Sequence, residues 1–241
     1  REIELTRSFT EKGFDEFPVR RDLPVQFATM IEYQKGLNVD VAFPPQGVLT
    51  DTLSDVLAAH GFTQAKITEA EKAVHVSFFL NGKKAEPLPG EERIVIPTRK
   101  DVRLFDEAPE MSIDEITRAA VSRIQDSSCN FIVVNFPNVD VVGHIENEQA
   151  VLRAVGAVDR QAGVLIDEAL RHNVAVAVTA DHGTVEKWLY PDGGVDTGHT
   201  DSPVPFVLLH PNPDVSLAPS GELTDIAPTL LDMMGISAPA S

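Results

Sequence analysis

Residues 131–144, FIVVNFPNVDVVGH, decide the fold class, because a short apolar run is followed there at once by polar residues. The run 131–134 is too short for a helix and rich in β-branched residues, which is typical of a strand covered on both faces. A second run of this kind, 174–178, precedes Asp181 and His182. We therefore predict two central parallel strands, joined by a crossover helix over residues 147–172.

The rest of the chain alternates between helix-like and strand-like segments. The hydrophobic spacing predicts helices over residues 1–12, 51–60, 112–126 and 222–234, and strands over residues 75–80, 93–96 and 206–209. Ser112 is a predicted N-cap, and Glu115 three residues later would complete a capping box. The alternation predicts an α/β fold with three layers, α/β/α, around a mostly parallel central sheet.

A proline-containing segment divides the chain into two predicted parts. Residues 43–47, FPPQG, form the best linker, and we place the boundary between residues 45 and 46. Residues 17–24 carry prolines among charged side chains and are predicted to form no regular element. The chain begins REIELTR, as if within an amphipathic helix and without an initiator Met, so we expect a fragment or a processed chain.

Composition and charge argue against several classes of partner. The formal net charge of -17, without clusters of Lys and Arg, argues against nucleic-acid binding. The apolar runs are far shorter than the roughly 20 residues of a membrane span, so we expect no membrane partner. Cys129 is the single cysteine and lies among apolar residues, which predicts a reduced core side chain and a cytoplasmic protein.

Five potential metal ligands fall where strands are predicted to end. Asp140 and His144 follow the first apolar run, Asp181 and His182 follow the second, and His199 lies in a glycine-containing loop before the next predicted strand. Each residue alone is more typical of a turn or a helix cap. Together they predict a two-metal site, because carboxylate and imidazole ligands at strand ends suit Zn²⁺ or Mn²⁺. Paired ions of this kind act on phosphoryl groups.

The motifs around these ligands resemble those of the cofactor-independent (2,3-bisphosphoglycerate-independent) phosphoglycerate mutases. They occur in the same order as in that family: EAEKAVHV at 69–76, PEMS at 109–112, NFPNVDVVGH at 135–144, TADHG at 179–183 and HTDSPVPF at 199–206. The Asp-His-Gly element alone occurs across the wider alkaline-phosphatase-like superfamily. The resemblance covers most of the chain.

The resemblance implies an alkaline-phosphatase-like fold and a site with two Mn²⁺ ions. Asp140, His144 and His199 would hold one ion, Asp181 and His182 would contribute to the other, and Lys72 would contact the substrate phosphate. Zn²⁺ or another divalent metal is an alternative. Residues 1–45 would be the tail of the phosphotransferase domain with the linker, and residues 46–241 the later part of the phosphatase-like, metal-binding domain.

The implied activity is the glycolytic interconversion of 3- and 2-phosphoglycerate, a small phosphorylated substrate, by an isomerase that passes through a phosphoserine. We expect a monomer. The family's serine nucleophile, its early metal-binding aspartate and its arginine-rich substrate segment have no counterpart in this chain, and Arg1, Arg20 and Arg21 are not assigned to that segment. We therefore identify no catalytic residue and expect the 241 residues alone to be inactive as a mutase.

Smaller departures affect the substrate contacts. Ile145 and Glu146 stand where the family has Thr-Gly, Thr184 replaces Asn, and Ala73 replaces an aromatic residue. The five candidate ligands are intact. Three of them can close the first metal site, whereas Asp181 and His182 leave the second short of partners, so we predict that the second is weak or empty.

Two other functions fit the same residues. The first is a divergent metal-dependent phosphohydrolase or phosphosugar mutase of the same superfamily that uses another hydroxyl near the site, with Thr179, Thr200 and Ser202 as nearby candidates. The second is a non-catalytic metal-binding module that keeps the fold and binds metal weakly.

Overall fold

The structure is a computed structural model that describes residues 2–20, 25–44 and 47–239. The chain divides into two units, Arg1–Val48 and Leu49–Ser241. The predicted boundary between residues 45 and 46 lies outside the described residues, as do Arg1 and residues 21–24. The assignment of residues 1–45 and 46–241 to two domains of different function therefore stays a prediction.

The described part of the first unit contains one helix and two strands: α1 (Glu2–Thr10), β1 (Ala28–Ile31) and β2 (Asp40–Phe43). The two strands pair in parallel. Phe9 of α1 stacks on Phe27, the residue before β1, with ring centroids 5.2 Å apart. Residues 17–20 contain no helix or strand, as predicted for that stretch.

The second unit contains the predicted alternation of elements. They are α2 (Leu53–Ala59), β3 (Gln64–Glu69), β4 (Glu91–Ile96), α3 (Ile113–Asp126), β5 (Phe131–Val134), α4 (Asn138–Gly143), α5 (Glu148–Arg171), β6 (Val176–Thr179), β7 (Phe206–Leu209) and α6 (Ile226–Met233). The predicted helices 51–60, 112–126, 147–172 and 222–234 and the predicted strands 93–96, 131–134 and 206–209 are confirmed, with small shifts at their ends. Among the described residues, no helix combines the length and the apolar character needed to cross a bilayer.

The sheet that positions the site has β3 at its centre. β4 and β5 flank β3, and both run parallel to it. Ile67 of β3 lies opposite Ile94 of β4 and Val134 of β5. With the β1–β2 pair, three of the four strand pairs in the described residues are parallel, so the prediction of a mostly parallel α/β fold is confirmed.

Helices cover both faces of this sheet. On one face, Ala65 and Ile67 pack with Ile116 and Ala120 of α3. On the other face, α2 and α6 form a second apolar cluster, which includes Phe131 of β5. Because side chains alternate between the faces of a strand, β5 contributes to both clusters. The predicted three-layer arrangement follows from these two clusters.

The second apolar run forms a strand with different pairing from that expected. We expected residues 174–178 to form a central parallel strand, but β6 begins at Val176 and pairs antiparallel with β7. Parallel neighbours need a crossover, usually a helix. The segment between β6 and β7 contains no crossover helix longer than the 3₁₀ helix Val185–Lys187, so the chain turns back on itself and the pair is antiparallel.

The prediction of a strand over residues 75–80 is wrong. Residues His75–Phe79 form a π-helix that follows a 3₁₀ turn, Ala70–Lys72. The central strand of the sheet is instead β3, just upstream. Its buried residues include Gln64, Lys66 and Thr68, so its hydrophobic pattern is weak and the apolar residues that follow it were the stronger strand signal.

The capping box expected at α3 is also absent from the described structure. Ser112 is the N-cap residue, but its side chain makes no capping bond. Its backbone N–H and its hydroxyl both donate to the buried carboxylate of Glu69, at 3.0 and 3.2 Å. In a capping box the Ser112 N–H would donate to the Glu115 side chain; here it donates to the Glu69 carboxylate, so this long-range contact replaces the local one. Burial raises the pKa of Glu69.

A buried ion pair ties β3 to β4. The Lys66 ammonium is 2% exposed, donates to Ser54 Oγ at 2.9 Å and to Asn81 Oδ1, and lies 3.5 Å from Glu91 Oε1. Burial lowers the pKa of Lys66, and the charge of Glu91 opposes that shift. The fully buried Glu91 carboxylate also accepts from Arg93 Nε at 2.6 Å and Asn81 Nδ2 at 2.7 Å. Removal of the Glu91 carboxylate would leave the Lys66 ammonium buried without this partner.

We expect Glu91→Ala to lower the free energy of unfolding by about 3–5 kcal/mol, the usual cost of breaking a buried pair from one side. The neighbouring residue supplies the control. Glu92 is half exposed and pairs with Arg123 at the surface, so Glu92→Ala should cost far less. Urea denaturation of both variants measures the difference, and equal losses would contradict the importance of the buried pair.

Candidate metal centre

The short helix α4 places two of the predicted ligands side by side. It follows β5, and Asp140 in its first turn and His144 at its C-cap lie four residues apart, on the same side of the helix. His144 Nε2 lies 3.3 Å from Asp140 Oδ1. Asn138, fully buried, holds the start of the helix by donating to the carbonyl oxygens of Pro109 and Glu110 at 2.9 and 2.8 Å. The sequence did not predict α4 as a separate helix.

His199 reaches the same point from the loop before β7. Its Nε2 lies 3.0 Å from Asp140 Oδ1 and 3.3 Å from His144 Nε2. Asp140, His144 and His199 offer ligand atoms that all lie within 4.8 Å of one another. His144 Nδ1 lies 2.6 Å from the carbonyl oxygen of Thr197, so its N–H donates there and the Nε2 lone pair faces the cluster.

This cluster fits a divalent cation. One carboxylate and two imidazoles are the oxygen and nitrogen ligands that Zn²⁺ and Mn²⁺ accept. The Nε2 atoms of His144 and His199 face each other. If both carry a lone pair, the two lone pairs repel each other unless a cation lies between or beside them. The carbonyl contact at Nδ1 of His144 is the usual outer partner of a metal-bound histidine, since it fixes the tautomer and the ring orientation.

The second pair of predicted ligands divides between the cluster and the solvent. His182 Nε2 lies 3.7 Å from Asp140 Oδ1 and 3.7 Å from Asp181 Oδ1. The His182 ring stacks on His199 with centroids 3.6 Å apart and planes 16° apart. The side chain of Asp181 is 80% exposed. The structure therefore brings His182 beside the first cluster and leaves Asp181 at its edge.

Lys72 lies on the other side of the Asp140 carboxylate. It ends the 3₁₀ turn after β3, and its Nζ is 2.5 Å from Asp140 Oδ2. Burial acts to raise the pKa of Asp140, but the hydrogen bond and charge of Lys72, and then the charges of His144 and His182, hold it below its ordinary value. Lys72, which is predicted to contact the phosphate, is thus adjacent to the predicted metal ligands, and its ammonium contacts the Asp140 carboxylate.

Two supporting residues escaped the sequence reasoning. Trp188 Nε1 donates to the carbonyl oxygen of Gly143 at 3.2 Å and so holds the end of α4. The Glu186 carboxylate accepts from Thr200 Oγ1 and from Thr184 N–H. The only signal in the sequence is that both residues closely follow the Asp181-His182 pair, and nothing in their residue types indicates which groups they contact.

The chain is similar to known proteins in sequence and in fold. A family model described as "Metalloenzyme superfamily" matches residues 23–238. The chain belongs to the metalloenzyme superfamily. Among curated relatives, the 2,3-bisphosphoglycerate-independent phosphoglycerate mutase of Moorella thermoacetica is 41% identical and that of Cyanothece sp. is 37% identical, each over 98% of this chain and 46% of the relative. The resemblance predicted from the motifs is confirmed by these relatives.

A solved structure supports the same likeness. The chain matches a crystal structure of Leishmania mexicana phosphoglycerate mutase at low cobalt concentration with a TM-score of 0.79 and 29% identity. The match covers 100% of this chain and 47% of that one. The chain therefore spans a little under half the length of the relatives it matches, and its fold is that of the corresponding part.

Two helical glycines give a test of how tightly α4 is held. A Cβ at Gly143 would lie 2.9 Å from Thr184 Cγ2 and 3.0 Å from Val185 Cγ1, whereas a Cβ at Gly163 in α5 would meet nothing within 4 Å. We expect Gly143→Ala to lower the free energy of unfolding by about 1–3 kcal/mol through overpacking. Gly163→Ala should raise it by up to about 1 kcal/mol through helix propensity. Chemical denaturation distinguishes them, and a stabilising Gly143→Ala would show that α4 is loosely packed.

Proposed function

We propose that this chain is the metal-binding part of a cofactor-independent phosphoglycerate mutase, an isomerase that interconverts 3- and 2-phosphoglycerate. One observation carries the proposal: the imidazoles of His144 and His199 and the ammonium of Lys72 all lie against the carboxylate of Asp140. The names of the relatives support the same activity. The proposal includes a cytoplasmic, monomeric, glycolytic enzyme, with residues 1–45 from the phosphotransferase domain and residues 46–241 from the phosphatase-like domain.

The proposed resident metal is Mn²⁺, with another divalent ion as the alternative. Asp140, His144 and His199 would hold the first ion, and Asp181 and His182 would contribute to the second. When bound, such ions stabilise negative charge on phosphoryl oxygens and lower the pKa of a hydroxyl group. Lys72 would bind a phosphate oxygen as a compact point charge, which suits an anionic substrate even in a chain of net negative charge.

The hydroxyl groups of Thr179 and Thr200, two of the three candidates near the cluster, donate to groups that are weak bases. Thr200 Oγ1 donates to the Glu186 carboxylate, which is a weak base because its pKa is lowered to about 2. Thr179 Oγ1 is directed at the carbonyl oxygen of Ala180, at 3.4 Å. These contacts disfavour the alternative of a phosphohydrolase that uses one of them. We propose that the phosphoryl-accepting serine lies outside these 241 residues.

The ligand assignment predicts the effect of removing single histidines. Outer partners of metal ligands already change affinity by about 10–100-fold, so loss of a direct ligand in His199→Ala should weaken the tighter Mn²⁺ site by more than about 100-fold. His210→Ala is the control, because His210 lies at the far end of β7 and contacts Asn212. Isothermal titration with MnCl₂ measures both variants.

The same titration tests which of the two proposed sites binds Mn²⁺ more tightly. Asp181→Ala should leave the tighter site unchanged, because its exposed carboxylate lies outside the Asp140, His144 and His199 cluster. Loss of the tighter site in Asp181→Ala but not in His199→Ala would reverse the assignment. Less than one ion bound per wild-type chain would favour the non-catalytic module.

An assay of mutase activity tests the proposed reaction. The 241 residues with Mn²⁺ should form no 2-phosphoglycerate from 3-phosphoglycerate. The codons upstream of Arg1 should encode an in-frame aspartate and serine motif, and the chain that includes them should carry out the conversion unless His144 is changed to Ala. Mutase activity from the 241 residues alone would contradict the proposed location of the nucleophile, and Mn²⁺-dependent release of phosphate from an aryl phosphate would favour the phosphohydrolase.

A further inference from the structure

The two loops that carry the histidines are joined by little backbone pairing. The ladder between β6 and β7 ends at Thr179 and Phe206. Beyond it, Thr200 N–H donates to the carbonyl oxygen of Gly183 at 2.9 Å, in an isolated antiparallel bridge. One bridge of this kind joins the two loops at a single point, and side-chain contacts between the loops add to it.

The Glu186 carboxylate supplies such a link between the loops. One oxygen accepts from Thr184 N–H at 2.7 Å, in its own loop. The other accepts from Thr200 Oγ1 in the facing loop, and the Ser202 backbone N–H donates to the same Thr200 Oγ1 at 3.3 Å. The Thr200 hydrogen bond is the main reason that the pKa of Glu186 falls to about 2. Each of the bonds to Glu186 is stronger for having an ionised acceptor.

The groups bound by Glu186 are neighbours of metal-site residues. Thr200 directly follows His199, and Thr184 comes two residues after His182. The two rings stack with centroids 3.6 Å apart. The link is also closely fitted, because a Cβ at Gly183 would overlap Glu186 Oε1 and Thr200 Oγ1. A side chain at this glycine of the Asp-His-Gly element would therefore displace the Glu186–Thr200 contact.

We propose that Glu186 is a positioning residue for the metal centre, which acts through Thr200 and Thr184 to hold His199 and His182 at a fixed separation. The inference rests on the proposed metal centre and is independent of mutase activity. Without the carboxylate, the His199 loop would keep its single backbone bridge, and the ring would sample orientations that bind a cation less well.

The test compares variants that break the link with one that removes the same charge elsewhere. Glu186→Ala and Thr200→Val each remove the contact, and both should weaken the tighter Mn²⁺ site by about 10–100-fold. Thr200→Ser keeps the hydroxyl and should restore wild-type affinity. Asp201→Asn is the control, because Asp201 lies beside Thr200 and is 95% exposed. Its ion pair with Lys187 also joins the two loops, but it lies at the surface, where such pairs contribute little, so this variant should change affinity by less than about 2-fold.

A double-mutant cycle and a spectrum separate positioning from general stability. The combined Glu186→Ala and Thr200→Val variant should bind Mn²⁺ no more weakly than either alone, because both remove one interaction. The visible absorption of bound Co²⁺ should change in both single variants and be unchanged in Asp201→Asn. If Glu186→Ala does not fold, Thr200→Val carries the test.

Each other outcome has a distinct meaning. Wild-type affinity and an unchanged Co²⁺ spectrum in Glu186→Ala and Thr200→Val would overturn the positioning role. An equal loss in Asp201→Asn would also overturn it, since net charge alone would then explain the effect. Failure of the wild-type chain to bind Mn²⁺ or Co²⁺ would instead contradict the proposed metal centre itself.

Discussion

The carboxylate of Asp140 is the point at which the segments after β3, β5 and β6 meet. Its two oxygens face different groups. Oδ2 receives the Lys72 ammonium, while Oδ1 faces the Nε2 atoms of His144, His199 and His182 at 3.3, 3.0 and 3.7 Å. A carboxylate that is only 16% exposed needs such partners, because an isolated buried charge is costly. The Asp140 carboxylate thus lies between the histidines of the proposed metal site and Lys72, the residue proposed to bind phosphate.

Buried polar groups hold the Lys72 segment at both of its ends. Before Lys72, the Glu69 carboxylate is fixed by the N–H and hydroxyl of Ser112. After it, Asn81 accepts from Lys66 and donates to Glu91. The intervening residues include a 3₁₀ turn and a π-helix, which provide little regular support of their own. The position of the ammonium therefore depends on the central strand β3 and its polar face.

Much of this arrangement could be predicted from the sequence, and the failures share a physical cause. The apolar strands β5 and β7, the helix α5 and the ligands after strand ends were predictable, because burial of apolar side chains and the geometry of sheets are local or periodic signals. β3 was missed because its buried face carries polar side chains that are satisfied only by distant partners. The link from Glu186 to Thr200 and the bond from Ser112 to Glu69 are likewise long-range, and residue types near each group do not reveal them.

The two predicted halves of the metal centre differ in how much water their ligands must lose. Asp140 is already desolvated and held by Lys72, and His144 is fixed through Thr197, so these side chains are preorganised before an ion binds. Asp181 is mostly exposed and must give up its hydration and its rotamer freedom to bind. His182 already lies beside the first cluster, stacked on His199. An ion at the first site would therefore cost less ordering than one at the second, and the second would depend on a ligand drawn in from solvent.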